Sequence, residues 1–457
     1  MNSNKIKFYN TLSREKEEFV PINPLQVTLY SCGPTVYNYP HIGNYRAYIF
    51  ADTLKRALLY AGFEVKHIMN LTDIDDKTIR DSQKEGKSLK EFTEFYTEKF
   101  FEDIKSLNIL NPTKFTKATD HIDAMVKIIK KLLENGLAYK SEDGSVYYNI
   151  KKFKGYGKLS RLVLEEQKEN AEGRIKTDEY EKENAQDFAL WKAWDEKDGD
   201  VFWDTELGRG RPGWHIECSA MSMNFLGEQL DIHTGGVDLI FPHHENEIAQ
   251  SEGVTGKQFV KYWMHNEWVL VDQKKMAKSS QNFYTLKDLV EKGINPIAYR
   301  FWLLMANYRT RVNFVWGALE GAETALKRLY RLYMELGNEV GKVGSEYQDK
   351  FQKHLFDDLD TPRGLSLLWD LVKDENVSKA DRKATILDFD KVLGLGFADL
   401  KETKEIIIPE EIMELTKERE EARKSKDFKK SDKLREKINA LGYEVKDTEA
   451  GQKVIKI

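Results

Sequence analysis

At 457 residues the chain is too long for one hydrophobic core and is expected to form about three or four domains. Hydrophobic residues at 40% can fill such cores, while 32% charged residues and a mean hydropathy of -0.60 describe a soluble protein, and no window approaches the roughly 18 unbroken apolar residues of a membrane span. A net charge of -5 gives no global attraction to nucleic acid, so any RNA contact must rest on local basic patches. Two cysteines far apart in sequence exclude a disulfide framework and fit a reducing cytoplasm. The start, Met1-Asn-Ser-Asn-Lys-Ile-Lys-Phe-Tyr, lacks an apolar signal core, so export is not expected.

Val27-Thr-Leu-Tyr30 reads as a short buried strand. It runs into Cys32-Gly-Pro-Thr-Val-Tyr-Asn-Tyr-Pro-His-Ile-Gly-Asn-Tyr-Arg46, and from Ala47 apolar residues fall at helical spacing: Ile49, Phe50, Leu54, Leu58 and Leu59. Strand, glycine-containing turn and helix N-terminus suit a phosphate, although many α/β folds carry such turns. Phe63–Met69 reads as a second strand ending in Asn70-Leu-Thr-Asp-Ile-Asp-Asp-Lys77, and the carboxyl ends of strands are where open α/β sheets bind ligands. Helices are predicted over 88–107 and 121–135, and then a hairpin through Leu137–Lys140 and Ser145–Ile150. Residues 151 to about 200 are polar and read as an insertion splitting the sheet domain, by default a solvated lobe without chemistry. The α/β texture returns at Pro212. Ile216–Met223 is predicted helical, Leu230–Asp238 a strand with a Gly-Gly loop, Pro242–Gln250 a helix and Tyr262–Val271 a strand. Beyond Pro296 the pattern is almost wholly helical, and Asp360-Thr-Pro362 is a helix start. Glu410–Asn439 reads as one highly charged helix, followed by a tail that can form a small hairpin.

Two constellations carry chemistry. His243 and Glu247 stand four apart on one predicted helix face, and Cys218 and Cys32 lie in polar, motif-like contexts. Cys, Cys, His and Glu are Zn²⁺ ligands by type. Their scattered spacing is no zinc-finger signature, and two buried cysteines beside an amphipathic helix end is the plainer reading. Val271-Asp-Gln-Lys-Lys-Met-Ala-Lys-Ser-Ser280 places Lys275 and Lys278 where two ammonium groups can surround a polyphosphate; alone, a solvated basic turn is its plainer reading.

Pro40-His-Ile-Gly-Asn44 resembles the HIGH signature of class I aminoacyl-tRNA synthetases, and Lys275-Met-Ala-Lys-Ser279 their KMSKS loop. Cys32–Tyr37, Asn70–Asp76, Gly213–Met221 and Phe241–Glu247 resemble the cysteinyl-tRNA synthetase family specifically, and the likeness extends through Asp358-Leu-Asp-Thr-Pro362 to the tail. Asn44 stands in place of the second HIGH histidine and Ala277 in place of the first KMSKS serine. The resemblance implies zinc ligands at Cys32, Cys218, His243 and Glu247, with one Zn²⁺ per chain. It implies a cysteine pocket at Gly33, Thr35, Thr72, Trp214, His233 and Asp238, and ATP contacts at His41, Gly43, Asn44, Lys275 and Lys278, of which His41, Lys275 and Lys278 are catalytic.

The fold implied is α/β, a Rossmann-type parallel-sheet catalytic domain split by an insertion, then an α-helical bundle and a small C-terminal α+β domain. In residues, 1–120 and 206–265 form the two catalytic halves around a connective insertion at 121–205. The linking region with the KMSKS-like loop spans 266–310, a tRNA-binding bundle 311–405 and an anticodon-reading domain 406–457. The activity implied is a cysteine–tRNA ligase. L-cysteine reacts with ATP–Mg²⁺ to give cysteinyl-adenylate and pyrophosphate, and cysteine then passes to the 3′ end of tRNA(Cys). Zinc would select the thiolate, because an apolar pocket separates isosteres only about 10²-fold. The partners implied are tRNA(Cys), ATP and L-cysteine, for a cytoplasmic monomer without a membrane. Two alternatives stand beside it, a cysteine-activating ligase with a small-molecule amine acceptor and a non-catalytic, synthetase-derived RNA-binding regulator.

Overall fold

A computed structural model describes residues 5–161, 187–276, 283–400, 409–448 and 451–456. They divide into two units, Met1–Ala398 and Asp399–Ile457.

The first unit opens with an antiparallel hairpin of β1 (Lys7–Asn10) and β2 (Glu15–Glu18). Strand β3 (Gln26–Ser31) buries Val27, Leu29 and Tyr30, and a long turn leads into α1 (Ile42–Tyr60) and β4 (Glu64–Leu71). Helices α2 (Asp76–Lys84) and α3 (Leu89–Ser106) precede β5 (Lys114–Lys117), and α4 (Ile122–Glu134) follows it. Next come β6 (Ala138–Lys140), β7 (Val146–Tyr148), β8 (Phe188–Ala193), β9 (Trp203–Thr205) and β10 (Gly208–Pro212). They form an antiparallel sheet in the order β6-β7-β8-β10-β9. Helix α5 (Trp214–Leu226), β11 (Leu230–Gly236), α6 (Glu245–Thr255) and β12 (Val260–Asn266) return to the first layer.

The central sheet runs β12-β11-β3-β4-β5, and every neighbouring pair is parallel. Its middle strands β11, β3 and β4 are buried along most of their length, polar residues included. From β3 the chain builds outward through β4 and β5, then returns to lay β11 on the other side of β3. The topological switch therefore lies between the carboxyl ends of β3 and β11, where a crevice opens.

Residues 151–200 were expected to form a solvated lobe, and for the described part this needs correcting. Phe188, Leu190 and Trp191 of β8 are buried in the same cluster as Ile216 and Trp263 of the parallel layer. The polar composition between Lys151 and Asp187 conceals a strand whose apolar run is only four residues, Phe188-Ala-Leu-Trp191.

A small sheet follows, ordered β14-β13-β15, from β13 (Val269–Val271), β14 (Lys274–Lys275) and β15 (Val312–Phe314), with α7 (Leu286–Glu291) and α8 (Pro296–Leu304) between its strands. Helices α9 (Trp316–Met334), α10 (Ser345–Leu355), α11 (Thr361–Lys373) and α12 (Lys379–Leu393) make the bundle. Phe351 and Phe389 stack in it with ring centroids 4.1 Å apart.

The second unit contains α13 (Glu410–Lys424), α14 (Phe428–Ala440) and a hairpin of β16 (Tyr443–Thr448) and β17 (Gly451–Lys456). Ile412, Leu415, Leu434, Ile438, Tyr443 and Val445 form its own core. The single helix expected over 410–439 is two. Lys426 takes a left-handed φ of 60°, and Asp427 caps α14 by accepting from the Lys430 N–H at 3.0 Å.

Candidate active site and metal centre

The crevice at the switch point is lined by Cys32, Gly33, Thr35, His41, Gly43, Asn44, Trp214 and Asp238, among others. Backbone pairing shapes its first wall. Gly33 N–H donates to Asn70 Oδ1 at 2.8 Å, Thr72 N–H to Pro34 O at 3.0 Å and Val36 N–H to Thr72 O at 3.1 Å. A Cβ on Gly33 would sit 1.8 Å from Asn70 O, so only glycine allows this approach.

The His41 turn is fixed by reciprocal capping. Asn44 N–H donates to His41 Nδ1 at 3.2 Å, and Asn44 Oδ1 accepts from His41 N–H at 3.0 Å. An accepting Nδ1 leaves the imidazole proton on Nε2, the tautomer able to donate from its other nitrogen. Asn44, the departure from the HIGH pattern, thus serves as the N3 partner of the cap. Gly43 meets Met276 closely, since a Cβ there would lie 2.6 Å from its methyl carbon. Lys275 has its backbone on β14 instead of in a loop, paired with Leu270. Lys278 and Ala277 lie outside the described residues.

Beneath the crevice floor the structure gathers a buried polar cluster. One potential ligand atom from each of Cys32, Cys218, His243 and Glu247 falls within 4.8 Å of every other. Each comes from a different local device. Cys32 ends β3 and Cys218 lies in the second turn of α5, while a turn over 240–244, broken from regular helix at Phe241, presents His243 before α6 carries Glu247. His243 Nε2 lies 3.0 Å from Glu247 Oε1, yet that oxygen has no hydrogen-bond donor among the described residues. Burial disfavours the Glu247 carboxylate, but the His233 and His243 imidazoles outweigh it and hold the group at about 2. Burial likewise opposes a charged His243, which the Cys218 sulfur and Glu247 push up to about 10. The Cys32 sulfur, burial and Glu247 raise the Cys218 thiol well above its usual range. Without a metal, then, the pocket keeps its anionic oxygen only with a positive partner. A thiolate-, imidazole- and carboxylate-bearing set with one orphaned oxygen fits a divalent cation of the zinc type.

Other expected residues take different places. Trp214 lines the crevice and stacks on His243 of the buried polar cluster, with centroids 4.2 Å apart. Asp238 accepts from Trp268 Nε1–H at 3.2 Å. Thr72 and His233 are buried behind the lining residues, Thr72 accepting from Asn70 Nδ2–H at 3.0 Å and His233 Nε2 lying 3.0 Å from Glu247 Oε2. Three buried histidines were not foreseen. His244 Nε2 lies 3.3 Å from Cys32 Sγ, His215 shares a 2.9 Å hydrogen bond with His243, and His265 a 2.8 Å one with His244. The available signal was the doublet His243-His244 itself.

Glu245 was also missed. Its buried carboxylate accepts from the N–H groups of Gly157 (2.8 Å), Leu159 (3.1 Å) and Ser160 (2.8 Å), tying the insertion to α6.

Residues 18–324 match the family model described as the tRNA synthetases class I (C) catalytic domain, and residues 408–454 the cysteinyl-tRNA ligase anticodon binding domain. A cysteine–tRNA ligase of Brachyspira hyodysenteriae is 47% identical over 98% of both chains. The one from Protochlamydia amoebophila is 44% identical over 99% of this chain and 98% of its own. The chain belongs to the cysteine–tRNA ligase family of class I aminoacyl-tRNA synthetases. Solved class I enzymes share the fold at low identity. A Mycobacterium tuberculosis methionyl-tRNA synthetase bound by methionyl-adenylate gives a TM-score of 0.56 at 13% identity over 81% of this chain and 90% of its own. A LeuRS ternary complex from Agrobacterium radiobacter gives 0.59 at 10% over 83% and 86%. Within the family's frame, Cys32 and His41 sit at the two ends of one turn between β3 and α1.

Proposed function

We propose that the chain activates L-cysteine with ATP–Mg²⁺ and transfers it to tRNA(Cys). The observation that carries this reading is the junction of two sites at the switch point. The Cys32, Cys218, His243 and Glu247 quartet lies under the floor of the same crevice whose rim carries His41, Gly43 and Asn44.

In the first step a cysteine carboxylate oxygen attacks the α-phosphorus, and the Pα–O bond to pyrophosphate breaks. His41, protonated on Nε2 by its own capping geometry, donates to the phosphate as charge builds. Lys278, supported by Lys275, neutralises the departing pyrophosphate. In the second step the terminal ribose hydroxyl of the tRNA attacks the adenylate carbonyl and AMP leaves. Neither step needs a covalent enzyme intermediate, so catalysis rests on positioning and electrostatic stabilisation.

Cys32, Cys218, His243 and Glu247 would hold the Zn²⁺. When bound, that ion supplies a sulfur-preferring Lewis acid that takes a thiol as thiolate and disfavours a serine hydroxyl. Gly33, Thr35, Trp214 and Asp238 wall the amino-acid end, with Thr72 and His233 behind them. The domain plan that goes with this reading keeps the two catalytic halves at 1–120 and 206–265 around the 121–205 insertion, then the 266–310 linker, the 311–405 bundle and the 406–457 anticodon domain. The enzyme is read as a cytoplasmic monomer; among the described residues no helix is long and apolar enough to cross a membrane.

An amine-acceptor ligase is disfavoured by the match of residues 408–454 to an anticodon-binding model. Cysteine-dependent ATP–pyrophosphate exchange, followed by charging of tRNA(Cys) transcript and metal analysis, tests the proposal. Exchange without charging would favour the amine-acceptor reading, and absence of both would favour the regulator.

A further inference from the structure

Transfer to tRNA brings the terminal ribose of the acceptor end into the crevice at the switch point. That crevice has a volume of about 360 Å³, room for a nucleotide and not for a duplex. The unpaired 3′ end must therefore lie along a surface that runs out from the rim. Single-stranded RNA is held by aromatic faces on which bases stack and by cations that follow the backbone.

A strip of this kind leaves the crevice at Tyr39, which lines it. The Tyr39 ring meets two rings of α3 edge-on, Tyr96 with centroids 5.6 Å apart and Phe95 with centroids 6.4 Å apart. Phe95 is nonetheless 40% exposed, so an aromatic face stays open to solvent beside the rim. Cations accompany it. Lys87 Nζ lies 5.6 Å and Lys99 Nζ 5.8 Å from the Phe95 centroid, and at the crevice itself Lys77 Nζ lies 5.4 Å from that of Tyr37.

Lys87 also joins the strip to a second cavity, of about 640 Å³. Its lining brings Lys87, Lys90 and Lys117 together with Phe202 and Trp203 of the insertion. The volume falls within the roughly 300–1,000 Å³ of sites that hold a small organic ligand. Asp120 and Asp200 in the same lining can accept from the amino group of a base. Lys87, Lys99 and Lys117 are paired with Glu85, Glu102 and Glu94 at 2.8, 2.7 and 3.4 Å. Such surface pairs are weak, and a phosphate can take the place of the carboxylate at little cost.

We infer that the unpaired 3′ end of the tRNA runs along this strip. Its terminal nucleotide enters the crevice, a base stacks on the open face of Phe95, and a nucleotide farther from the terminus occupies the cavity of Lys90 and Trp203. The inference rests on the reading that the chain charges tRNA. Stacking is tolerant of base identity, so the strip positions the end and leaves the choice of tRNA to other contacts.

The test compares binding of intact tRNA(Cys) transcript with binding of the same transcript lacking its unpaired 3′ end, using the full-length protein. Phe95→Ala should weaken the intact tRNA about tenfold and leave the shortened one unaffected, and Phe95→Trp should restore the affinity. Lys90→Ala should likewise weaken only the intact tRNA, and should lower the slope of log affinity against log salt by about 0.7. Pyrophosphate exchange, which needs no tRNA, should stay at the wild-type rate in all three variants and so report that they fold. If Phe95→Ala loses exchange, Lys90→Ala decides alone. An equal loss on both transcripts, or no loss on either, overturns the strip while wild-type charging stands. A wild-type protein that charges no tRNA overturns the functional reading beneath it.

Discussion

Arg46 donates from Nη1 to the carbonyl oxygen of Trp268 at 2.6 Å, joining the helix that follows His41 to the start of β13. Its Nη2 also donates to the carbonyls of Tyr308 at 3.2 Å and Asn307 at 3.4 Å and to that of Thr310, in the turn before β15. Arg46 is only 3% exposed, and its guanidinium is spent on backbone oxygens just ahead of β13 and β15, two strands of the small sheet that carries Lys275. The His41 turn meets the other flank of the 277–282 segment as well, because Ile42 N–H donates to Tyr284 O at 2.8 Å. Arg46 therefore ties the helix after the His41 turn to the backbone leading into β13 and β15.

Arg46→Lys keeps the charge but cannot reproduce the planar fork. Several carbonyls lose a donor, at about 1–3 kcal/mol for each one left buried and unpaired. After correction for the fraction of active sites, kcat for pyrophosphate exchange should fall about tenfold, with zinc content and KM for cysteine unchanged. A variant with wild-type kcat per active site would show that Arg46 serves folding alone.

Cys218→Ser removes one sulfur from the proposed zinc quartet and leaves a hydroxyl that ionises far less readily. Ligand loss should cost more than the roughly 10–100-fold that removing an outer-shell partner costs. Metal analysis should find zinc below stoichiometry, and the cysteine concentration needed for exchange should rise by about 100-fold or more. Full zinc occupancy with a normal cysteine requirement would remove Cys218 from the ligand set.

The spacing around Cys32–Arg46 made the central strand, the turn and α1 legible, because an apolar run, a Pro-His-Ile-Gly turn and a 3.6-residue period agree there. The i,i+4 pair His243 and Glu247 was legible for the same reason. His244 was not, since the backbone breaks from regular helix at Phe241 and periodicity no longer says where its neighbour faces. Nothing local gives Arg46 its role, because its carbonyl partners at 268 and 307–310 lie more than 200 positions away. The break between α13 and α14 hides because Ser425-Lys-Asp427 has no glycine or proline, and the turn uses a left-handed lysine. These features depend on tertiary partners or on rare backbone choices, which local pattern does not encode.

The buried His67 gives a pH prediction. Burial, aided by the charge of Lys55, lowers this imidazole from 6.5 to about 3, and its Nε2 pairs with Ser31 Oγ at 2.9 Å. The folded protein keeps the ring neutral while an unfolded chain binds a proton below pH 6.5. The unfolded state then holds more protons, so stability is complete above pH 6.5 and falls as pH drops toward 3. Between pH 7 and pH 5 this single group should contribute a loss of about 2 kcal/mol. His67→Gln should flatten the fall in urea midpoint by that amount, the other buried histidines titrating alike in both proteins. Identical pH dependence of variant and wild type would contradict the assignment.

Removing residues 409–457 should separate charging from activation. The second unit has its own core of Ile412, Leu415, Leu434, Ile438, Tyr443 and Val445, and every residue lining the crevice belongs to the first. Its two helices and the turn between them expose Lys424, Lys426, Lys429, Lys430, Lys433, Arg435 and Lys437, interspersed with acidic residues, in a chain of net charge -5. If these cations meet tRNA phosphates, each pairing releases counterions and steepens the fall of affinity with salt. The truncated protein should exchange pyrophosphate within about twofold of the full chain, because the proposed zinc quartet and the His41 turn both belong to the first unit. Its KM for tRNA should rise at least tenfold, and its log affinity against log salt should be shallower by about one unit for each phosphate that the missing cations had neutralised. An unchanged salt slope with weakened binding would mean that the unit reads bases or shape without meeting phosphates, and unchanged KM would mean that it does not touch tRNA.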